Sequence, residues 1–232
     1  MQMGGSLTLP PVPNPWEVEV GTSVTNLDTQ IIPGVTNITV PVKTAIPVLG
    51  IRPKASNRTF YGGTGISPQI NFNNAYNTAS ISNDTGVLTL DVTDASSNKI
   101  GTLRVNMKSG AIITEKKSTG GEINSISVFA SKAGDAFFGG LATQASGVGA
   151  PGLIFNKFPG LKQNIDTIGG SGSCGSSCTA TRFPLTSANN QYNGFYTAII
   201  DDGENIQISL TQPSTREAIQ WKASLPVTVS YM

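Results

Sequence analysis

The last twelve residues read Trp221-Lys-Ala-Ser-Leu-Pro-Val-Thr-Val-Ser-Tyr-Met232. From the middle of this stretch onward, large apolar residues occupy every second position: Leu225, Val227, Val229 and Tyr231. Successive side chains of a β-strand point to opposite faces, so this spacing buries one face and leaves the residues between on the other. The stretch therefore predicts a final strand that builds the C-terminus of the chain into a sheet.

The composition favours an all-β protein. The chain has 232 residues with Gly 26 and Pro 14, only 12% of its residues are charged, and β-branched residues occur throughout. That length suffices for one large β domain or two small ones. The net charge is +1 and its lysines and arginines are scattered singly, so the sequence does not indicate a nucleic-acid partner.

The absence of histidine narrows the possible chemistry. It excludes a Ser-His-Asp or Cys-His catalytic group and any metal site that depends on imidazole. A β-sandwich glycosidase would need two inward carboxylates about 5–9.5 Å apart in a cleft. The best candidates are crowded into Asp201-Asp-Gly-Glu-Asn205, which we interpret as the solvated turn of a hairpin between 194–200 and 205–211. We expect no enzyme activity, cofactor or metal.

Two cysteines, Cys174 and Cys178, lie in a run of glycine and serine. Two thiolates alone make a poor metal site, and the run lacks the Lys-Ser/Thr and the helix pattern of a phosphate-binding loop. In an oxidising compartment a small disulfide is the default state of such a pair. We interpret the pair as a possible staple at the tip of a loop.

The hydrophobic pattern predicts one β-sandwich domain over residues 10–232. A stretch without sustained period-two alternation, about 129–193, is expected to be a large insertion of loops and short helix, with one helical turn at 131–136. The start of the chain has no signal-peptide pattern, and no stretch approaches the about 18 apolar residues of a membrane span. From these residues we expect a soluble chain without membrane insertion, which is either cytosolic or already processed.

Several sequence blocks together resemble the major adhesive subunits of chaperone–usher fimbriae, the FaeG/ClpG-like class. The blocks follow in matching order: Gly4-Gly-Ser-Leu-Thr8, Trp16-Glu-Val-Glu-Val-Gly21, Ile100-Gly-Thr-Leu-Arg-Val105, Ala136-Phe-Phe-Gly-Gly-Leu141, Gln220-Trp221 and Leu225-Pro-Val-Thr-Val-Ser-Tyr231. They frame nearly the whole chain, whereas residues 54–85 and 142–193 do not align by eye. Each block alone is weakly specific, and their order and spacing carry the resemblance.

The resemblance implies an incomplete immunoglobulin-like sandwich, which a donor strand from the next subunit completes by β-augmentation. Here residues 1–9 would be the donor segment. Family extensions run further before Gly4-Gly5, so we expect a truncated donor and a chain that does not polymerise alone. The implied assembly residues are Met1, Met3, Leu7, Leu225, Val227, Val229 and Tyr231. The implied partners are copies of the same subunit, a periplasmic chaperone and an outer-membrane usher, and the implied location is a fimbrium on the bacterial cell surface.

The resemblance also implies adhesion to host glycans through elaborations on the sandwich. Sugars are bound by aromatic faces beside amide and charged donors, and the insertion supplies those residue types at Phe155, Asn156, Lys157, Phe158, Lys162 and Asn164. An alternative for Phe155 and Phe158 is that they anchor the insertion onto the sandwich. The alternative for the whole chain is a non-polymerising extracellular carbohydrate-binding module, which would be complete and stable without a partner.

Overall fold

A computed structural model describes residues 13–54, 59–120, 124–149, 157–158, 180–215 and 217–232. The strands are β1 (Trp16–Val20), β2 (Asn37–Pro41), β3 (Ile46–Pro53), β4 (Phe60–Tyr61), β5 (Pro68–Asn71), β6 (Thr85–Thr93), β7 (Lys99–Lys116), β8 (Asn124–Ser127), β9 (Gln191–Ile200), β10 (Asn205–Leu210), β11 (Lys222–Ala223) and β12 (Thr228–Tyr231). The helical elements among the described residues are two short 3-10 turns, Thr78–Ser80 and Ala145–Gly147. The all-β prediction is confirmed.

The longest strand, β7, belongs to both layers of the fold. Its first half pairs antiparallel with β6 and β10, and its second half, from Lys108 onward, pairs with β9 and β8. On one side β10 continues to β2, and on the other β9 continues to β3 and then β1. The predicted immunoglobulin-like β-sandwich is confirmed, with its two layers joined through one continuous strand.

The predicted hairpin near the C-terminus is wrong in its pairing, although both of its strands exist. β9 lies between β3 and β7, and β10 lies between β7 and β2. Both edges of each strand are thus occupied, and the turn at Asp201–Gly203 carries the chain from one layer to the other. Local alternation predicts strands but does not say which strand will be the neighbour, because the competing partner, β7, is remote in sequence.

An aromatic group marks the centre of the core. Trp16 and Phe137 meet edge to face with ring centroids 5.4 Å apart, and Phe137 stacks on Tyr196 at 5.5 Å. The indole N–H of Trp16 donates to the carbonyl of Ile66 at 2.7 Å, so the buried donor is satisfied. Trp16 is 2% exposed and belongs to the core, whereas Trp221 is only half-buried.

Strand β9 is buried on both of its faces. One face supplies Tyr192, Tyr196 and Ala198 to the main core, and the opposite face carries Phe195 and Ile199, which are 2% and 0% exposed outside that core. The insertion covers part of this outer face. A sheet covered on both sides explains why residues 194–200 read as a nearly continuous apolar run rather than as an alternation.

The helical turn predicted at 131–136 is wrong, because the segment is a series of tight turns. The carboxylate of Asp135 accepts hydrogen bonds from the backbone N–H groups of Ser131 and Lys132 at 2.9 and 3.1 Å. Gly134 has φ +90° and Phe137 has φ 63°. A right-handed helix cannot continue through such residues, so the side-chain bonds of Asp135 fix a compact loop instead.

Candidate functional site

The terminal strand has a half-covered apolar face. Residues from 221 onward alternate between half-buried and exposed, and the half-buried set packs against the main core: Trp221, Ala223, Leu225, Val227, Val229 and Tyr231. The alternation predicted from sequence is therefore present. The ladder itself is interrupted: β11 pairs with β6 and β12 pairs with β5, with Leu225-Pro226-Val227 between them in no strand. Proline lacks the N–H that a ladder would need at this point.

Among the described residues, one edge of β12 is unpaired. Within the described part of the chain its only ladder partner is β5, in a register that pairs Val229 with Ile70 and Tyr231 with Pro68. Strand backbones direct alternate N–H and C=O groups to opposite sides, so half of those of β12 point away from β5. An unpaired edge beside half-exposed apolar side chains is a template for an added strand.

The other side of β5 is fixed by the 131–139 loop. The N–H of Ile70 donates to the carbonyl of Phe138 and the N–H of Phe137 donates to the carbonyl of Pro68, both at 2.7 Å. The buried side-chain amide of Gln69 also links β5 to this loop. Its nitrogen donates to the carbonyl of Asp135, and its oxygen accepts from the N–H of Gly134 at 3.0 Å. The same nitrogen donates to the carbonyls of Ser67 and Pro68. β12 therefore rests on a rigid support, and sequence analysis missed that residues 54–85 provide it.

Most of the residues predicted for donation and glycan binding lie outside the described residues. These are Met1, Met3, Leu7, Phe155, Asn156, Lys162 and Asn164, and the possible disulfide partners Cys174 and Cys178 lie outside as well. The structure places two of the predicted glycan-binding residues, Lys157 and Phe158. Both of them contact the sandwich.

The side chain of Phe158 is buried on the outer face of the sheet, where it is 1% exposed. Its ring lies over Gly50 in β3, at a position where a side chain on residue 50 would collide with it. An isolated glycine inside an apolar strand often marks such a close approach, and this signal in Val48-Leu-Gly50-Ile51 could have located the contact from sequence.

The ammonium group of Lys157 is held by two carboxylates at the turn after β9. It forms ion pairs with Asp201 and with Asp202, the latter at 2.6 Å, and Lys108 of β7 approaches the other oxygen of Asp201 at 2.8 Å. The hydrogen bond that Lys157 donates to Asp201, and next the one that it donates to Asp202, raise the pKa of Lys157 above its usual range. Lys157 and Phe158 thus fasten the insertion to the sandwich by charge and by packing.

Asp201 is not the solvated turn residue that the sequence predicts, since its side chain is only 11% exposed. Burial alone would raise the pKa of this carboxyl, but hydrogen bonds from Lys108 and Lys157 outweigh burial and hold the pKa well below its usual range. The two lysines come from positions 93 and 44 residues away, so the local sequence contains no signal of this contact.

Within the described ranges, no group of three or more potential metal ligands comes together. No helix in that same part of the chain is long and apolar enough to cross a membrane. The candidate site in the described residues consists of the unpaired edge of β12 and of the contacts that Lys157 and Phe158 make with the sandwich.

The family model described as "Fimbrial, major and minor subunit" matches the chain over residues 1–232. No curated protein matches it. The match covers both the open terminal strand and the insertion.

Proposed function

This chain belongs to the family of major and minor fimbrial subunits, and on that basis we propose that its copies join by donor-strand exchange at β12. Membership places the protein in an extracellular fimbrium, where it assembles with other subunits. The family is structural rather than enzymatic. What supports the proposed mode of assembly is one observation, the open edge of β12 beside its half-covered apolar side chains.

The added strand must carry apolar residues at alternate positions. Such a strand would pair with the free edge of β12 and cover the same face as Leu225, Val227 and Val229. Completing the burial of a half-exposed Leu or Val contributes about 1 kcal/mol per side chain to the binding of the donor strand, and the new ladder hydrogen bonds strengthen this binding further. We propose that Met1, Met3 and Leu7 of the next subunit contribute to this strand.

An open edge also needs cover before assembly, because exposed apolar strands aggregate. We propose that a periplasmic chaperone occupies the edge of β12 first, and that an outer-membrane usher exchanges it for the donor strand. This sequence of events explains how a subunit with an incomplete face reaches the cell surface without self-association.

The second part of the proposal is adhesion to host glycans through the insertion. Phe155, Asn156, Lys162 and Asn164 remain the predicted contacts. The burial of Phe158 and the ion pairs of Lys157 favour an anchoring role for these two, and their contact with sugar stays a prediction. A disulfide between Cys174 and Cys178 would stabilise the loop that presents the site, and this also stays a prediction.

The test of assembly is a pair of matched substitutions on β12. Val229→Asp places a charge on the half-buried face, and Thr228→Asp places the same charge on the exposed face. Both variants are made in a subunit that carries a longer apolar donor segment at its N-terminus. In cells with a chaperone and an usher able to secrete this subunit, electron microscopy should show fimbriae with Thr228→Asp and none with Val229→Asp. Circular dichroism of both variants separates a block of assembly from a failure to fold, and Val229→Thr gives a milder change at the same position. Normal fimbriae from a folded Val229→Asp subunit would reject assembly through this face and favour the self-contained carbohydrate-binding module.

A further inference from the structure

A single aromatic side chain among the described residues is exposed, and it stands at the end of the outer sheet face. Tyr61 of β4 is 59% exposed. Its neighbour Phe60 points inward and packs edge to face on Trp16, with ring centroids 5.0 Å apart. Because successive side chains of a strand alternate, the half-buried ring of Phe60, which packs against the core, directs Tyr61 outward. The exposure of Tyr61 therefore results from the strand geometry and not from a disordered tip.

The ring of Tyr61 is held in place although it is exposed. β4 pairs with β9 so that Tyr61 faces Gln191, and the Gln191 side-chain nitrogen donates to the Tyr61 hydroxyl at 2.9 Å. The oxygen of the same amide accepts a hydrogen bond from the Thr59 hydroxyl at 3.1 Å. An aromatic side chain fixed in this way loses little conformational entropy when a ligand stacks on it. The Tyr61 hydroxyl keeps its own hydrogen for donation to a ligand.

A cationic side chain, Lys116, lies next to Gln191 and forms a row with Gln191 and Tyr61. Gln191 also faces Lys116 of β7, so Tyr61, Gln191 and Lys116 lie side by side on one face of three neighbouring strands. Strand spacing places the ends of this row about 10 Å apart. Lys116 is exposed and forms no ion pair with any residue in the described ranges. The adjacent carboxylate, Glu115, lies on the opposite face and accepts a hydrogen bond from the Asn190 amide at 2.8 Å.

We propose that Tyr61, Gln191 and Lys116 form a subsite for an acidic sugar residue of a host glycan. This inference rests on the adhesive role proposed above and gives that role a second location, at the opposite end of the outer face from the anchor of the insertion. The apolar C–H face of a pyranose stacks on the Tyr61 ring, and the Tyr61 hydroxyl and the remaining amide hydrogen of Gln191 donate to sugar hydroxyls. The Lys116 ammonium binds the carboxylate or sulfate of the same sugar unit.

The chemistry favours an acidic over a neutral sugar. The row offers donors and one positive charge without an ion pair in the described part of the chain, and its main acceptor, the Gln191 amide oxygen, is already used by Thr59. A ligand that brings anionic oxygens therefore satisfies more of these groups than a neutral one. Since Lys116 is exposed, binding should weaken as the salt concentration rises.

The experiment measures binding of the full chain to immobilised lactose, sialyllactose and sulfated lactose. Tyr61→Ala should weaken binding to the acidic glycans by about tenfold or more, and Tyr61→Phe should retain most of it because the ring remains. Lys116→Gln should remove the preference for acidic over neutral glycans. Val20→Ala, which truncates another exposed apolar side chain, should leave binding unchanged. If the Tyr61 and Lys116 variants lose binding to sialyllactose alone, the recognised group is the carboxylate. If they lose binding to sulfated lactose alone, it is the sulfate.

The possible failures are distinguishable. If the wild-type chain binds these glycans and Tyr61→Ala and Lys116→Gln bind equally well, the subsite is rejected and the adhesive role stands. If the wild-type chain binds none of the probes, both the subsite and the adhesive role toward them are rejected, and assembly through β12 is tested separately. Thermal unfolding of each variant checks that a loss of binding is not a loss of fold.

Discussion

The ring of Phe158 occupies the space that a side chain at position 50 would need. A Cβ atom built on Gly50 would lie 2.9 Å from two ring carbons of Phe158, closer than non-bonded carbon atoms approach. Gly50 is in β3 and Phe158 belongs to the insertion, so this contact joins two parts of the chain that are remote in sequence. The glycine is needed here for space and not for an unusual backbone conformation.

Gly50→Ala should therefore displace the insertion while leaving the main core intact. We expect it to lower the free energy of unfolding by about 1–3 kcal/mol, as overpacking typically does. Faster protease cleavage within residues 142–190 would report the displacement. The matched control is a double-mutant cycle with Phe158→Ala. In that background the added methyl group has room, so Gly50→Ala should lower the free energy of unfolding by less. An equal decrease in the free energy of unfolding in both backgrounds would mean that Phe158 does not restrict position 50.

Thr197, which pairs with Gly50 across the ladder, has a hydroxyl that is wholly buried and has no hydrogen-bond partner among the described residues. Removing an unsatisfied buried polar atom relieves its desolvation cost. Thr197→Val keeps the shape of the side chain and should leave stability unchanged or raise it by up to about 1 kcal/mol. Urea unfolding measures this, and Thr197→Ala, which removes a methyl group as well, should be destabilising. A clear loss of stability in Thr197→Val would show that the hydroxyl has a partner in the rest of the chain.

Asp201 should make the protein lose stability in acid. Its folded pKa is below its ordinary value of 3.8, so below about that pH the unfolded chain binds more protons than the folded one. The stabilising effect of the carboxylate is thus present above that value and declines as the pH falls further. Asp201→Asn should lower stability at neutral pH by about 1–3 kcal/mol, because Lys108 and Lys157 lose their shared partner. It should also flatten the decline in acid, which urea unfolding at a series of pH values measures.

The control for this variant is Asp202→Asn. The Asp202 side chain is 52% exposed, and its only ion pair among the described residues is with Lys157. The effect of this substitution on stability should be small. If Asp201→Asn and Asp202→Asn change stability equally, Asp201 is not the main partner of the two lysines.

Asp84 should produce the opposite dependence on pH. Burial raises the pKa of this carboxyl to about 6, against a hydrogen bond from the Gly149 N–H and the charge of Lys108. Between its ordinary value of 3.8 and 6 the folded state binds more protons, so the free energy of unfolding should rise as the pH is lowered through about 6. The full change corresponds to about 2–3 kcal/mol. Asp84 has φ 61°, which asparagine tolerates, so Asp84→Asn should fold and show a flat profile from pH 7 to about 4.5. A wild-type profile that is already flat there would contradict the prediction.

The sequence predicts what depends on local pattern. The alternation at Leu225–Tyr231 correctly gives the half-buried side chains of the terminal segment, although only Thr228–Tyr231 form a strand, and the composition correctly gives an all-β fold. The resemblance rests on blocks in order along the chain, and the family match over residues 1–232 confirms it.

The errors arise where remote residues decide the outcome. β9 and β10 flank a turn motif as the strands of a hairpin would, but β7 lies between them and pairs with both. Asp201 lies in a turn motif, yet two distant lysines draw it into a buried cluster. The row of Tyr61, Gln191 and Lys116 joins three strands and has no signature in any one of them.

The continuity of β7 has a mechanical consequence. Because the strand from Lys99 to Lys116 is hydrogen-bonded into both layers, a pull that tends to slide one layer over the other is resisted by covalent backbone as well as by side-chain contacts. In a fibre under tension, the two layers of each subunit therefore share the load as a single body.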